Sequence, residues 1–237
     1  LGEDRRFFSY FHPALEDEPI IFVQVALTNG LGRSIQEITK PRSDGDQKYD
    51  SATFYSISNC QEGLSRVTLG NFLIKRVVFE IQEELPNIKH FGTLSPIPGF
   101  RDWFSYLENA KIKNILGDVP IENISFLKSP DLKVGDPRIV SNKVSITKLA
   151  AHYLMNEKNQ KQLPINDVCR FHLGNGAIID DIVINANISE VGFNRSFGVM
   201  VNYLYELKNI EKNLSLIHIS EPTRQAEIAY ALDCKKK

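Results

Sequence analysis

The chain has 237 residues, 42% of them hydrophobic, enough to bury an ordinary core in one domain with appendages. Its 28 Lys and Arg against 29 Asp and Glu leave a net charge of −1, which gives no basis for a nucleic-acid or polyanion partner; any bound anion must be held by a local arrangement. Three dispersed cysteines, Cys60, Cys169 and Cys234, make neither a disulfide framework nor a Cys-x-x-Cys metal site, and imply a reducing, intracellular compartment. The Asn-x-Ser sequons at Asn123, Asn187, Asn194 and Asn213 are then chance matches. No apolar run reaches the roughly 20 residues of a membrane span, and no signal-peptide pattern opens the chain. Because the first residue is Leu1, we expect the natural N-terminus to lie upstream.

In chain order, "PIIFVQVAL" (19–27) is a continuous β-branched run that predicts a strand buried on both faces. The polar, turn-rich segment 39–50 reads as a loop, and "SATFYSISN" (51–59) alternates as a second strand. A turn with two glycines follows, then apolar residues at 69, 72, 73, 77, 81 and 85, which predict a helix stopped by Pro86. "KHFGTLS" (89–95) completes a βαβ unit and argues for a mixed or parallel sheet with covering helices. Beyond it we predict a short amphipathic helix over 99–110, irregular chain with one or two short helices over 111–143, and a helix over 144–158 capped by Ser145. A helix ending at His172, a strand after Gly174-Asn175-Gly176 and a last strand over 197–207 close the pattern. No internal repeat is present.

Three constellations could carry chemistry. Gln61, Gly63 and Gly70 precede or open a helix, whose free N–H groups and positive dipole end can hold a phosphate; a simple packing turn explains the glycines equally well. The pattern fails both the dinucleotide fingerprint and the P-loop. Ser95 stands at a strand end before Pro96 and Pro98. It is not in a nucleophile elbow, which disfavours a conventional serine hydrolase, and the prolines would hold its hydroxyl at fixed depth in a cleft between strand ends. His172 sits where a helix gives way to a tight turn. Both side chains could equally be local caps or packed residues. His12 and His152 read as ordinary packed histidines, no histidine pair has ligand spacing, and no metal is expected.

Six blocks then carry a family resemblance: "FFSYFHPALEDEPIIFVQVALT", "FYSISNCQEGL", "LGNFLIKRV", "FGTLSPIPGF", "FHLGNGA" and "GVMVNYLY". In this order they resemble the C-terminal catalytic domain of malonyl-CoA decarboxylases over roughly residues 5 to 213. The resemblance implies an α/β fold of the Gcn5-related N-acetyltransferase type: a mixed, mostly antiparallel twisted sheet with flanking helices. It also implies a preceding helical oligomerisation domain, absent here, and a homo-oligomeric full-length protein. The substrate would be malonyl-CoA, with coenzyme A as part of it and no separate cofactor. The implied catalytic pair is Ser95 and His172. The implied coenzyme-binding stretch is Ser65, Arg66, Val67, Thr68, Leu69, Gly70 and Asn71. Either Tyr203 or Tyr205 would be the active-site tyrosine; the blocks do not distinguish them. A mitochondrial, peroxisomal or cytoplasmic location follows by the same resemblance.

Loss of carbon dioxide from a malonyl thioester leaves an enolate, which needs donors at the thioester oxygen and an acid for the α-carbon. On this reading Ser95 positions the malonyl group and His172, with a reference pKa near 6.5, supplies the proton cheaply. An N-acyltransferase and a non-catalytic acyl-CoA-binding domain are the alternatives. Residues 214–237, "LSLIHISEPTRQAEIAYALDCKKK", leave the family pattern, and we expect a non-native tail there.

Overall fold

The computed structural model of the chain describes residues 2–12, 15–40, 48–60 and 70–206. Its frame is a six-stranded sheet in the order β1-β2-β3-β4-β6-β5. The strands are β1 (Arg5–His12), β2 (Leu15–Thr28), β3 (Ser51–Asn59), β4 (His90–Pro96), β5 (Ile178–Val183) and β6 (Met200–Leu204). Only β3 and β4 run parallel, and the other four pairings are antiparallel. This is the mixed, mostly antiparallel sheet expected from the sequence blocks.

Side-chain alternation divides the sheet between two cores. Val23, Val25 and Leu27 of β2, Phe91 of β4, and Val201 and Tyr203 of β6 point into the large cluster, which also takes Ile74, Val77, Val78 and Ile81 of α2 (Gly70–Glu84). Ala26, Leu94 and Met200, one residue out of phase, join Ile38 of α1 (Ile35–Thr39) in a smaller cluster. Thr93 and Ser95 share parity with Phe91, so their hydroxyls lie on the large-cluster side.

Several local expectations change. β1 was not foreseen, because its outward positions Phe7 and Phe11, 42% and 53% exposed, erase the polar alternation of an edge strand. The helix predicted over 99–110 is interrupted around Tyr106–Glu108, giving α3 (Phe100–Ser105) and α4 (Asn109–Leu116). Between 111 and 143 lie the end of α4, α5 (Glu122–Ser125), a 3₁₀ turn at Phe126–Lys128 and α6 (Pro137–Ser141), more helix than predicted. α7 (Lys143–Met155) starts after Asn142, whose side chain makes no cap bond, and Ser145 is buried inside the helix instead of capping it. The last strand starts later than expected because α9 (Glu190–Ser196) ends in a left-handed turn at Phe197 and Gly198. Residues 61–69 and 207–237 lie outside the described residues, so Ser65 to Leu69 and the tail 214–237 receive no structural account.

Candidate active site

The site begins with a strand register. β3 and β4 pair only from Ser51↔His90 to Phe54↔Thr93. Beyond that point β3 keeps β2 and β4 keeps β6, with no pairing between them. The gap is a cleft of about 370 Å³, within the range that holds a small ligand. Phe54, Tyr55 and Ile57 line it from β3, Thr93 to Pro96 from β4, and Asp167, Val168, Phe171 and His172 from a helix laid across the opening.

That helix is α8 (Asp167–Gly174). Asn166 caps it by accepting from the Cys169 N–H at 2.8 Å, and its amide donates to the Pro98 carbonyl at 2.9 Å. Tyr153 of α7 donates to the same carbonyl at 3.0 Å. Gly99 makes the turn possible: its φ is +79°, and a Cβ there would lie 2.8 Å from the Tyr153 hydroxyl. One carbonyl just past Ser95 therefore ties down both helices, and the exit from β4 sets where α8 carries His172.

At the floor of the cleft Ser95 Oγ lies 3.0 Å from His172 Nε2, and His172 Nδ1 lies 2.8 Å from the Tyr205 hydroxyl. Ser95 also donates to Thr93 Oγ1 at 2.8 Å. Tyr203 stacks on the imidazole at 4.4 Å between ring centroids, and Phe171 meets it edge-on at 5.1 Å. The two tyrosines left open by the sequence thus separate: Tyr205 supplies a hydroxyl to His172, and Tyr203 supplies a ring face. The Tyr203 hydroxyl meets no nitrogen or oxygen partner and has the Cys169 thiol beside it, which adds to the burial that pushes the phenol well up.

Ser95, His172, Thr93, Tyr203 and Tyr205 are all buried. Burial drives the His172 pKa from 6.5 down to about 3 and pushes the Tyr205 phenol up. Its place in the last turn of α8 favours a cation by at most about 2 kcal/mol, too little to offset the loss of water. The cheap imidazolium expected from the reference pKa is therefore corrected: His172 rests neutral. With Ser95 donating to Thr93, the Ser95 oxygen accepts from His172 only when Nε2 carries the proton, which leaves Nδ1 to accept from Tyr205.

Gly70 and Asn71 are the first residues of α2; the rest of the predicted coenzyme stretch falls outside the described residues. Among the described residues no cluster of three or more His, Cys, Asp or Glu could hold a metal ion, and no helix is long and apolar enough to cross a membrane. The sequence reading missed Thr93 and Asn166. Thr93 was signalled by the period-two spacing from Ser95, and Asn166 by its cap position before "DVCRFH".

This is a mixed, mostly antiparallel α/β architecture with a hydroxyl–imidazole pair at a sheet splay. The loading GNATL domain of CurA from Lyngbya majuscula shares the fold, with a TM-score of 0.50 at 11% identity over 82% of this chain and 74% of that one. Residues 1–229 match the family model described as malonyl-CoA decarboxylase C-terminal domain, and the chain belongs to that family. It is 37% identical to the malonyl-CoA decarboxylase, mitochondrial, of Anser anser anser, over 90% of this chain and 46% of that protein. The rat protein of the same name, from Rattus norvegicus, is 35% identical over 90% and 48%. The crystal structure of malonyl-CoA decarboxylase from Rhodopseudomonas palustris superposes with a TM-score of 0.82 at 39% identity, over 92% of this chain and 50% of that one. The chain spans about half the length of the curated relatives it matches.

Proposed function

We propose that the chain decarboxylates malonyl-CoA to acetyl-CoA and carbon dioxide, a step of fatty-acid metabolism, through a thioester enolate. The observation that carries this reading is the buried chain Tyr205–His172–Ser95, with links of 2.8 and 3.0 Å, opening on a sheet-splay cleft in a member of this family. Coenzyme A enters as part of the substrate, with the stretch Ser65 to Asn71 holding its phosphates and no separate cofactor.

Loss of carbon dioxide moves charge from the carboxylate onto the thioester oxygen, so a site that removes water from the carboxylate favours the reaction. The described cleft lining is largely apolar, contains no Lys or Arg, and its one carboxylate, Asp167, is itself paired with Arg170. Ser95 lines the cleft, and with malonyl-CoA bound its hydroxyl turns from Thr93 to the α-carbon and delivers its proton there. His172 Nε2–H replaces that proton and Nδ1 takes one from Tyr205, whose phenolate, disfavoured by burial, takes a proton back from solvent as the products leave. The imidazole works as a neutral conduit, in keeping with its burial, and need never carry a net charge before the enolate forms. The goose and rat relatives are mitochondrial malonyl-CoA decarboxylases by name, and we propose a similar intracellular setting.

The test is release of labelled carbon dioxide from carboxyl-labelled malonyl-CoA by the chain and its Ser95→Ala and His172→Ala variants. Release should fall by a factor of roughly a hundred or more in each, the range for lost acid catalysis. Wild-type rates in both variants, or an acylated amine as the product, would refute the reading.

A further inference from the structure

Ser95 has two acceptors within reach, and the choice between them sets the direction of the whole relay. If its hydroxyl donates to His172 Nε2, the imidazole acts as a base and the serine becomes a nucleophile, as in a hydrolase. If it donates elsewhere, its oxygen accepts from Nε2–H and the relay is loaded to deliver a proton into the cleft. Tyr205 does not decide, because its contact with Nδ1 suits either tautomer of the ring, whereas the contact of Ser95 with Thr93 has a direction.

The deciding group is Thr93. Its Oγ1 accepts from Ser95 at 2.8 Å, against 3.0 Å from Ser95 to Nε2. It stands two residues before Ser95 on β4, hence on the same face of the strand. Its place is fixed from both sides: it pairs Phe54 on β3 and Tyr203 on β6, and its own carbonyl receives the Asn202 amide at 2.9 Å. At 1% exposure, Thr93 leaves bulk water little room to take its place as acceptor. We propose that Thr93 is a positioning residue that selects acid over base: by taking the Ser95 proton it holds Nε2 protonated and suppresses attack of Ser95 on the thioester. The proposal rests on the decarboxylase reading above and deepens it.

The suppressed reaction is explicit. Ser95 Oγ would bond to the thioester carbonyl carbon, its proton passing to Nε2; the C–S bond would break, the thiolate leaving with that proton. Water would then release the acyl group from Ser95 as a carboxylic acid. Decarboxylation yields carbon dioxide and an intact thioester, whereas this route yields free coenzyme A thiol, so the two are counted separately.

The experiment compares the chain with Thr93→Val and Thr93→Ser, measuring carbon dioxide and free thiol from malonyl-CoA in parallel. Thr93→Val, nearly isosteric and without the acceptor, should lower carbon dioxide release about tenfold, short of the roughly hundredfold that loss of the acid brings, and should raise thiol released per carbon dioxide. Thr93→Ser should restore both rate and ratio. A wild-type rate in Thr93→Val, or a reduced rate with an unchanged product ratio, would overturn the role of Thr93 and leave the decarboxylase reading standing. No carbon dioxide from the parent chain, with malonyl-CoA still bound in calorimetry, would overturn that reading and this proposal with it.

Discussion

His172 should make the fold acid-sensitive, and the size of the effect follows from its surroundings. Its neighbours are Ser95, Tyr203, Tyr205 and Phe171, none of them charged, and burial is the cause of its drop from 6.5 to about 3. The unfolded chain binds a proton at this position below pH 6.5 and the folded chain does not until about pH 3. Stability from this group is therefore full above pH 6.5 and is lost as pH falls through the window from 6.5 to about 3. At 1.36 kcal/mol per pH step, the loss is about 3 kcal/mol at pH 4 and about 5 kcal/mol at completion, a large share of the roughly 5–15 kcal/mol of a typical domain. Urea unfolding at pH 7, 5 and 4 measures it, with His172→Gln as the non-titrating reference. Between pH 7 and 4 the wild-type chain should lose about 3 kcal/mol more than the variant. Parallel pH profiles would show that the imidazole is protonated in the folded site and would remove the neutral-conduit argument.

Two further outcomes bear on how the site is held. Asn166→Ala removes the α8 cap and the link to the Pro98 carbonyl, and should cost about 1–3 kcal/mol in thermal or urea unfolding while slowing decarboxylation through a displaced His172; an unchanged melting temperature would refute the clamp. Gly92→Ala would place a Cβ 2.7 Å from the Leu31 side chain and 2.9 Å from the Tyr203 carbonyl, and should cost roughly 1–3 kcal/mol by overpacking, read as a lowered melting temperature with the backbone beneath Tyr203 disturbed.

What the sequence disclosed follows the physical range of its signals. α2 and α8 announced themselves because helical spacing and a terminal glycine turn are local, and β4 because its apolar run is closed by Pro96 and Pro98. Ser95 and His172 could be nominated but not joined: they lie 77 positions apart, and no local pattern encodes the register at which β3 and β4 part. The same limit hid the difference between Tyr203 and Tyr205. Both read as strand aromatics of the same parity, and only the tertiary placement of His172, stacked on Tyr203 and 2.8 Å from the Tyr205 hydroxyl, assigns them different roles. The acidity of His172 was misjudged because a reference pKa carries no burial, and burial here outweighs everything else acting on the ring.

The strand order has a consequence for biosynthesis. β6 is the last strand to leave the ribosome among the described residues, yet it lies between β4 and β5 and pairs with both. Until Met200–Leu204 emerges, the strand bearing Ser95 has one ladder unfilled, and β5 has no partner in the sheet. Tyr205 arrives in the same step, so the Ser95–His172–Tyr205 chain and the closure of the sheet are completed together. Until then the nascent chain carries open edges on β4 and β5, which invite pairing with other chains.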